Sequence, residues 1–430
     1  MHAEVLRKTG VLLFKRSFLV LDLVVAVMAS SCREQVGSEI VDPVPKPRGK
    51  LQPVKFESTA DVAYTNHRVA SVPWSIHIAR FERSRKDLSL HSVHATGGAL
   101  GLSPLSDQIK TLKPEHGTPL AGVNGDFYQR GRYYTGDPRG LQIIDGELVS
   151  APVGEASFWV DQAGEPHAAN VESRFKVTWP DGTTTSFGLN EDRNDYPAVL
   201  YTPALGDSTL TKGGRELVLE QSGDGPWLPL AAGFTYTARV RQVREKGNTP
   251  IPSDGMVLSL NPRLLHELPQ VEVGAVLKVS TDSTPDLRRA QTAISGGPVV
   301  AQNGKVLKFK SPRGEYSYSV RSMWERHPRA AIGWDEKYFY FLQVDGRQRG
   351  LSTGMTLQEV GNYLVKLGCR EVMNLDGGGS ATFWYNGRVR NSPCDRYERP
   401  IANGLVVVRR ENNRTQISEL PVSNSKAHQP

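Results

Sequence analysis

Residues 374–380, Asn-Leu-Asp-Gly-Gly-Gly-Ser, gather an amide, a carboxylate and a hydroxyl around three consecutive glycines. Apolar, strand-like runs flank them at 371–375 and 381–385. Glycine has no Cβ and tolerates positive φ, so a triple-glycine turn lets the backbone approach a ligand closely. Its successive amides can form an anion-binding nest. A plain hairpin more commonly uses a two-residue Asn-Gly or Asp-Gly turn. A decorated β-turn is the bland alternative. Asn374 and Ser380 beside Gly377, Gly378 and Gly379, together with partners elsewhere in the chain, favour a site.

Four other segments carry reactive or ligand-binding residue types. Asn124-Gly125-Asp126-Phe127-Tyr128 follows an apolar strand and supplies a second carboxylate, or else forms an Asx-type turn. Ser295-Gly296-Gly297-Pro298 reads equally as a phosphate cradle or as a bend. His327-Pro328-Arg329 leads into a strand, and Arg329 is either a bidentate phosphate clamp or a surface arginine. Glu398-Arg399-Pro400 precedes the last strand, with a simple ion pair as the alternative to a binding role for Glu398.

These segments can meet only if the strands carrying them end in one cleft. The clearest case is a strand at 338–344, a helix at 356–367 and a strand at 371–375, an apparent βαβ unit. Leu357, Val360, Leu364 and Leu367 recur at helical spacing, Thr356 and Glu359 make a capping box, and Gly368 ends the helix. Sites in such units form at strand C-terminal ends, where Asp345-Gly346-Arg347 and residues 374–380 both fall. Short strands are expected at 74–81, 88–93, 120–123, 157–160, 175–179, 184–187, 199–202, 215–219, 234–243, 255–260, 330–333 and 404–408, with a short helix at 106–112. Asp181-Gly182 and the segment 302–305 read as hairpin turns. Residues 156–290 gather no catalytic residue types and read as a β-rich insertion or substrate wall.

The chain has 430 residues, 38% hydrophobic and 23% charged, which is ordinary globular usage. Its 41 glycines and 28 prolines favour turns and strands over long helices. The formal charge of +7 comes without a dense basic run interleaved with aromatics, which argues against nucleic acid and suits an anionic, phosphate-bearing substrate. Arg7, Lys8, Lys15 and Arg16, an apolar run at 18–28 and then Ala29-Ser30-Ser31-Cys32 follow the order of a secretory signal. The run is short for a membrane span of about 20 residues. Its end resembles a bacterial lipoprotein box with Cys32 as the lipidated residue, although Ala29 stands where leucine is usual. Export follows, with membrane contact only through that anchor. Beyond Cys32 only Cys369 and Cys394 remain, a candidate disulfide in an exported protein. No CxxC or HExxH pattern points to a zinc site of the usual kind.

With these motifs in this order, residues 120–408 resemble the phosphodiester glycosidase family. The resemblance rests on 124–128, 200–203, 295–298, 326–333, 344–350 and above all 374–382. Cys369 stands where the family more usually has a small residue. The expected fold is an α/β (α+β) core with a mixed sheet and the late βαβ unit, plus a β-rich inserted region. The expected organisation is a signal peptide at 1–32, a tether at 33–55, core at 56–155, the insertion at 156–290, core at 291–410 with the main motifs, and a disordered tail at 411–430.

The resemblance implies hydrolysis of a glycosidic bond to phosphate, in a glycosyl phosphodiester or a cell-envelope glycopolymer. Glycoside cleavage typically uses two carboxylates, and Asp126, Asp345 and Asp376 are the candidates, with Asp376 first and Asp126 its partner. Phosphate is already a good leaving group, so charge stabilisation by Arg329 and Arg347 is expected to matter more than protonation. Asn124, Asn374 and Ser380 would orient substrate, and the glycine amides would cradle an oxyanion. No cofactor is required by this scheme. Two alternatives stand beside it: a phosphodiesterase using Ca or Mg on Asp126, Asp345 and Asp376, and a non-catalytic carbohydrate-binding lipoprotein.

Overall fold

The computed structural model describes residues 53–56, 61–131, 133–193, 196–309 and 321–410. The leader, Cys32, most of the tether and the C-terminal tail at 411–430 lie outside the described residues.

Two antiparallel sheets face each other. One has the spatial order Ala63–Val69, Trp74–Glu82, Tyr338–Val344, Arg329–Trp334, Glu371–Asn374, Val299–Gln302, Lys305–Val306. The other runs Arg388–Val389, Phe383–Tyr385, Thr118–Asn124, Asn403–Arg409, Leu88–His94. Ala79, Phe81, Ile332, Phe341 and Met373 of the first share a core with Val123, Phe383, Leu405 and Val407 of the second. Each sheet carries a helix on its outer face. Leu357–Leu367 buries Leu357, Val360 and Leu364 beside Ile76, Ile78, Leu342 and Val372. Leu105–Lys110 buries Leu105 and Ile109 beside Val93, Val406 and Val408.

Residues 405–408, Leu-Val-Val-Val, show why this layering follows from sequence. Side chains alternate across a strand, so Leu405 and Val407 enter the core between the sheets while Val406 and Val408 meet the helix. A strand covered on both faces reads as a continuous apolar run rather than an alternating one.

A six-stranded sheet and a closed barrel form the rest. The sheet contains Pro166–Ser173, Val153–Asp161, Ala290–Ser295 and the hairpin Gln142–Ile144/Glu147–Ser150. The barrel is built from strands between Lys176–Thr178 and Val276–Ser280. Leu141, Ile143, Leu148 and Trp159 of the sheet pack in one cluster with Leu200, Leu217, Leu258 and Leu277 of the barrel.

The expected mixed sheet is not what forms around the late helix. Tyr338–Val344 and Glu371–Asn374 are both antiparallel to Arg329–Trp334, which lies between them. They are therefore mutually parallel but not neighbours, and every neighbouring pair in this sheet is antiparallel. Arg329–Trp334 is joined to Tyr338–Val344 by a short turn and takes the adjacent slot first. A parallel neighbour pair does occur in the barrel, between Thr184–Leu189 and Ala198–Tyr201. The helix itself has the expected capping box of Thr356 and Glu359 and a left-handed Gly368 at its end. No disulfide joins Cys369 and Cys394, so the candidate bridge does not form. Cys369 is buried behind the helix, and Cys394 is half-buried beside Asp395.

Candidate active site

Six strand ends meet at one end of the facing sheets. Thr118–Asn124, Glu371–Asn374, Tyr338–Val344 and Ala290–Ser295 finish there, while Arg329–Trp334 and Asn403–Arg409 begin there. Register enforces this: Arg329 pairs with Val344, Ala331 with Asn374 and Gly404 with Asn124. The two sheets are sewn together at this end. The Asp376 amide donates to the Gly125 carbonyl at 2.8 Å. The Asn124 side chain donates to the Asp376 carbonyl at 2.7 Å and accepts from the Thr382 amide at 3.0 Å.

The three glycines of the turn serve three different needs. Gly378 has φ of +60°, the left-handed region that favours glycine, and its amide donates to the Pro328 carbonyl at 2.9 Å. A Cβ on Gly377 would stand 2.6 Å from the Pro328 oxygen. A Cβ on Gly379 would stand 1.9 Å from Nη2 of Arg399. The guanidinium of Arg347 lies over Gly378, 3.3 to 3.4 Å from where its Cβ would be.

Two carboxyls are set into this end. Asp126 is 3% exposed; its Oδ1 accepts from the Phe127 amide at 2.7 Å and its Oδ2 from the Gly140 amide at 2.8 Å. Burial still raises its pKa to about 7, and the nearby charge of Asp376 adds to the rise. Asp376 is partly exposed, and its Oδ1 accepts from the Gly377 amide at 2.8 Å. Desolvation raises its pKa to about 6, opposed by a hydrogen bond with Ser380, the Gly377 amide and the charges of Arg399 and Arg130. Burial thus raises both carboxyls toward neutrality as a coupled pair.

Arginines surround the pair. Arg399 is held by Asp395, with Nε 2.7 Å from Oδ2, and its field reaches Asp376. Arg130 contacts the Tyr128 hydroxyl at 3.2 Å, and Arg139 influences Asp126. Arg347 donates to Nδ1 of His327 at 3.1 Å, while Nε2 of His327 lies 3.1 Å from Glu325. Burial and the charges of Arg347 and Arg329 push the His327 pKa down to about 3. A neutral ring with Nδ1 accepting and Nε2 donating fits both contacts, so His327 orients Arg347 without adding charge.

Several expected site residues are placed otherwise. Asp345 is buried against His77 at 3.2 Å, Gln343 at 3.2 Å and the Ser392 amide at 2.9 Å. Burial works against its ionised form, but the hydrogen bond and charge of His77 prevail and hold its pKa below the usual range. Among the described residues, Asp345 does not converge with Asp126 and Asp376 into one ligand set; a cluster of possible metal ligands forms elsewhere, at His91, His116 and Asp145. Arg329 is 5% exposed, and its guanidinium donates to the carbonyls of Met355 at 2.8 Å, Glu325 at 2.9 Å and Ser322. Glu398 accepts from the Ser106 amide and hydroxyl, both at 2.7 Å, and so caps the helix Leu105–Lys110. Ser295 accepts from the Leu141 amide at 2.8 Å and pairs with Ser157 at 2.7 Å. The Gly297 amide donates to the Asn374 carbonyl at 2.9 Å, and a Cβ on Gly296 would stand 2.7 Å from that oxygen, so this segment braces the glycine turn. Asn374 is 3% exposed; its Nδ2 donates to the Leu375 carbonyl at 2.6 Å and its Oδ1 has no partner.

Sequence reasoning missed Arg399 and Asn403. Arg399 adjoins Glu398 in a segment already singled out, but nothing local says which of the two faces the glycine turn. Asn403 accepts from the Asp126 amide at 2.8 Å through its side chain, a contact visible only once the strands pair.

Residues 230–408 match the phosphodiester glycosidase family. Over 68 residues the chain is 41% identical to the N-acetylglucosamine-1-phosphodiester alpha-N-acetylglucosaminidase of Bos taurus, a match covering 16% of this chain and 12% of the bovine protein. A Synechocystis protein of known structure superposes with a TM-score of 0.65 at 20% identity, over 83% of this chain and 64% of that one. A Burkholderia pseudomallei K96243 protein described as exported superposes with a TM-score of 0.59 at 20% identity, over 79% of this chain and 74% of that one. These superpositions establish a shared fold. Among the described residues no helix is long and apolar enough to cross a membrane.

Proposed function

We propose, from the match of residues 230–408 to the phosphodiester glycosidase family and from the site geometry, that this protein hydrolyses the glycosidic bond of a sugar-1-phosphodiester. Water adds at the anomeric carbon, the carbon–oxygen bond to phosphate breaks, and free sugar and a phosphomonoester leave. The observation that carries this reading is the carboxyl pair Asp126 and Asp376, with pKa values of about 7 and about 6, beneath arginines and a glycine turn. Two carboxyls pushed to different values near neutrality suit acid–base division of labour. Asp376, partly exposed, is the carboxylate that serves the anomeric centre. Asp126, buried, is its proton-holding partner.

In this reading Arg347 and Arg399 receive the phosphate, whose negative charge grows as the bond breaks; their positions beside Gly378 and Gly379 support it. Arg329 acts by tying the carbonyls of Ser322 and Glu325 to that of Met355, which joins two segments beside the site. Ser380 orients the Asp376 carboxyl. The leader supports export with a lipid anchor at Cys32, which would place the enzyme against cell-envelope glycopolymers or exported glycosyl phosphodiesters.

Incubation with a panel of sugar-1-phosphodiesters tests the reading. Free sugar plus phosphomonoester is the expected product. Release of sugar phosphate instead would identify a phosphodiesterase, and no turnover across the panel would leave a binding protein.

A further inference from the structure

His91, His116 and Asp145 form a cluster outside the Asp126–Asp376 cleft. We propose that they bind a divalent transition-metal ion of the zinc class, at a structural site independent of the hydrolytic reading. Nδ1 of His91 lies 3.1 Å from Oδ1 of Asp145, and Nε2 of His116 lies 3.0 Å from Oδ2 of the same carboxylate. The ligand atoms of all three residues fall within 4.8 Å of one another. Zinc bonds to nitrogen and oxygen of roughly 2.0 to 2.1 Å give a tetrahedron whose edges are about 3.3 Å. The two histidine–carboxylate distances lie near that edge length. Two imidazoles and one carboxylate are a borderline donor set that suits zinc and its neighbours better than Ca or Mg.

Each donor is anchored by a different part of the chain. His91 lies in Leu88–His94, buried, and Oγ of Ser89 is 3.0 Å from its Nε2. That contact can take the Nε2 proton and leave the Nδ1 lone pair aimed at the cluster, the outer-shell arrangement usual for metal-binding histidine. His116 comes from the 3-10 turn Pro114–His116. Its ring packs tilted against His91, with centroids 4.4 Å apart, and its Nδ1 is buried without a partner, so the contact with Asp145 and this packing orient it. Asp145 sits at φ of +50° and Gly146 at +87°, the Asp-Gly turn of the hairpin Gln142–Ile144/Glu147–Ser150. Asp145 is exposed, which leaves a fourth position open to water. Lys113 and Glu115 supply the other nearby charges.

The ion would tie three segments that otherwise meet through side chains alone. One of them continues from Gly140 and Leu141, whose amides hold Asp126 and Ser295. The site therefore braces the wall behind the carboxyl pair without entering the cleft.

Titration of the metal-stripped full chain with Co(II), read by its visible absorption, and with Zn(II), read by calorimetry, tests the proposal. One equivalent of either metal is expected, with tetrahedral-type Co(II) absorption, and His116→Gln and Asp145→Asn should each weaken binding at least tenfold. Both positions lie toward the surface, and circular dichroism reports whether the variants fold. A second reading uses the wild type alone: bound Zn(II) should protect His91 and His116 from diethylpyrocarbonate, mapped by peptide mass. Absence of a bound equivalent at millimolar metal, equal affinity in both folded variants, or unprotected histidines would overturn the site and leave a hydrogen-bonded triad.

Discussion

Asn124 and Asp376 hold each other across the seam of the two facing sheets. The Asn124 side chain donates to the Asp376 carbonyl at 2.7 Å, and the Asp376 amide donates to the carbonyl of the next residue, Gly125, at 2.8 Å. The glycine turn is therefore fixed from the opposite sheet, not only by its own strand. Asn124→Ala removes this bond and the one from the Thr382 amide. Leaving buried partners unsatisfied costs about 1 to 3 kcal/mol. Denaturant unfolding should show that loss, together with reduced turnover; an unchanged midpoint would mean the seam holds without Asn124.

The pH behaviour follows from the carboxyl pair. Both acids titrate higher in the fold, at about 7 and about 6, than the ordinary 3.8 of the unfolded chain. The folded protein thus binds more protons between those values. Stability is greatest below the unfolded pKa and falls as pH rises through the folded ones. Asp345, shifted the other way, loses its contribution only as pH falls below 3.8, so it does not mask this slope. His327 and His94, pushed down by burial to about 3 and about 4, add stability as pH rises and oppose this slope. The readout is therefore the difference: the melting temperature of Asp126→Asn relative to the wild type should rise between pH 4.5 and 8.

Activity should trace a narrow bell, rising as Asp376 ionises and falling as Asp126 does, with the apparent values belonging to the pair. Asp376→Asn should fold and lose about 100-fold in kcat, the scale of lost acid–base catalysis. Asp126→Asn should lose the alkaline limb. A folded Asp376→Asn variant with full activity would assign its carboxylate a structural role.

The two arginines of the His-Pro-Arg and Asp-Gly-Arg segments should separate cleanly. Arg347→Lys keeps charge and loses the planar fork over Gly378, so kcat/KM should drop at least tenfold, about 1.4 kcal/mol, with little change in melting. Arg329→Lys should lower melting instead, because its buried guanidinium serves three carbonyls that one ammonium cannot reach together. Equal kinetic defects at unchanged stability would return Arg329 to the phosphate.

Gly379→Ala tests the link between the turn and Arg399. The new methyl would overlap Nη2 of Arg399 and crowd Oδ2 of Asp395, 2.4 Å away. Substrate affinity should fall at least tenfold while the helices and sheets persist. Wild-type kinetics in this variant would show that Arg399 can move aside at no functional cost.

Much of the core was legible because its signals are local. Thr356, Glu359 and Gly368 set both ends of one helix, and Asp181-Gly182 and Asn303-Gly304 marked hairpins that form. Ala290–Ser295 was not anticipated: Gln291 and Thr292 interrupt its apolar pattern, and its pairing with Val153–Asp161 is distant in sequence. In the site, the carboxylates and glycines announced themselves by type. What Arg329, Glu398 and Asp345 do was hidden, because an arginine facing carbonyls and one facing a ligand look alike in sequence. Only the fold shows which polar group each side chain meets.

The partners Asn124 and Asp376 stand 252 residues apart in the chain. Such pairings close large loops, and folding slows as they come to dominate. The capped helix and the short hairpins can form before this seam does. Hydrolytic competence would then be among the last properties a refolding chain regains, lagging behind its backbone signal. A partly unfolded copy would display strands and barrel while lacking the assembled glycine turn.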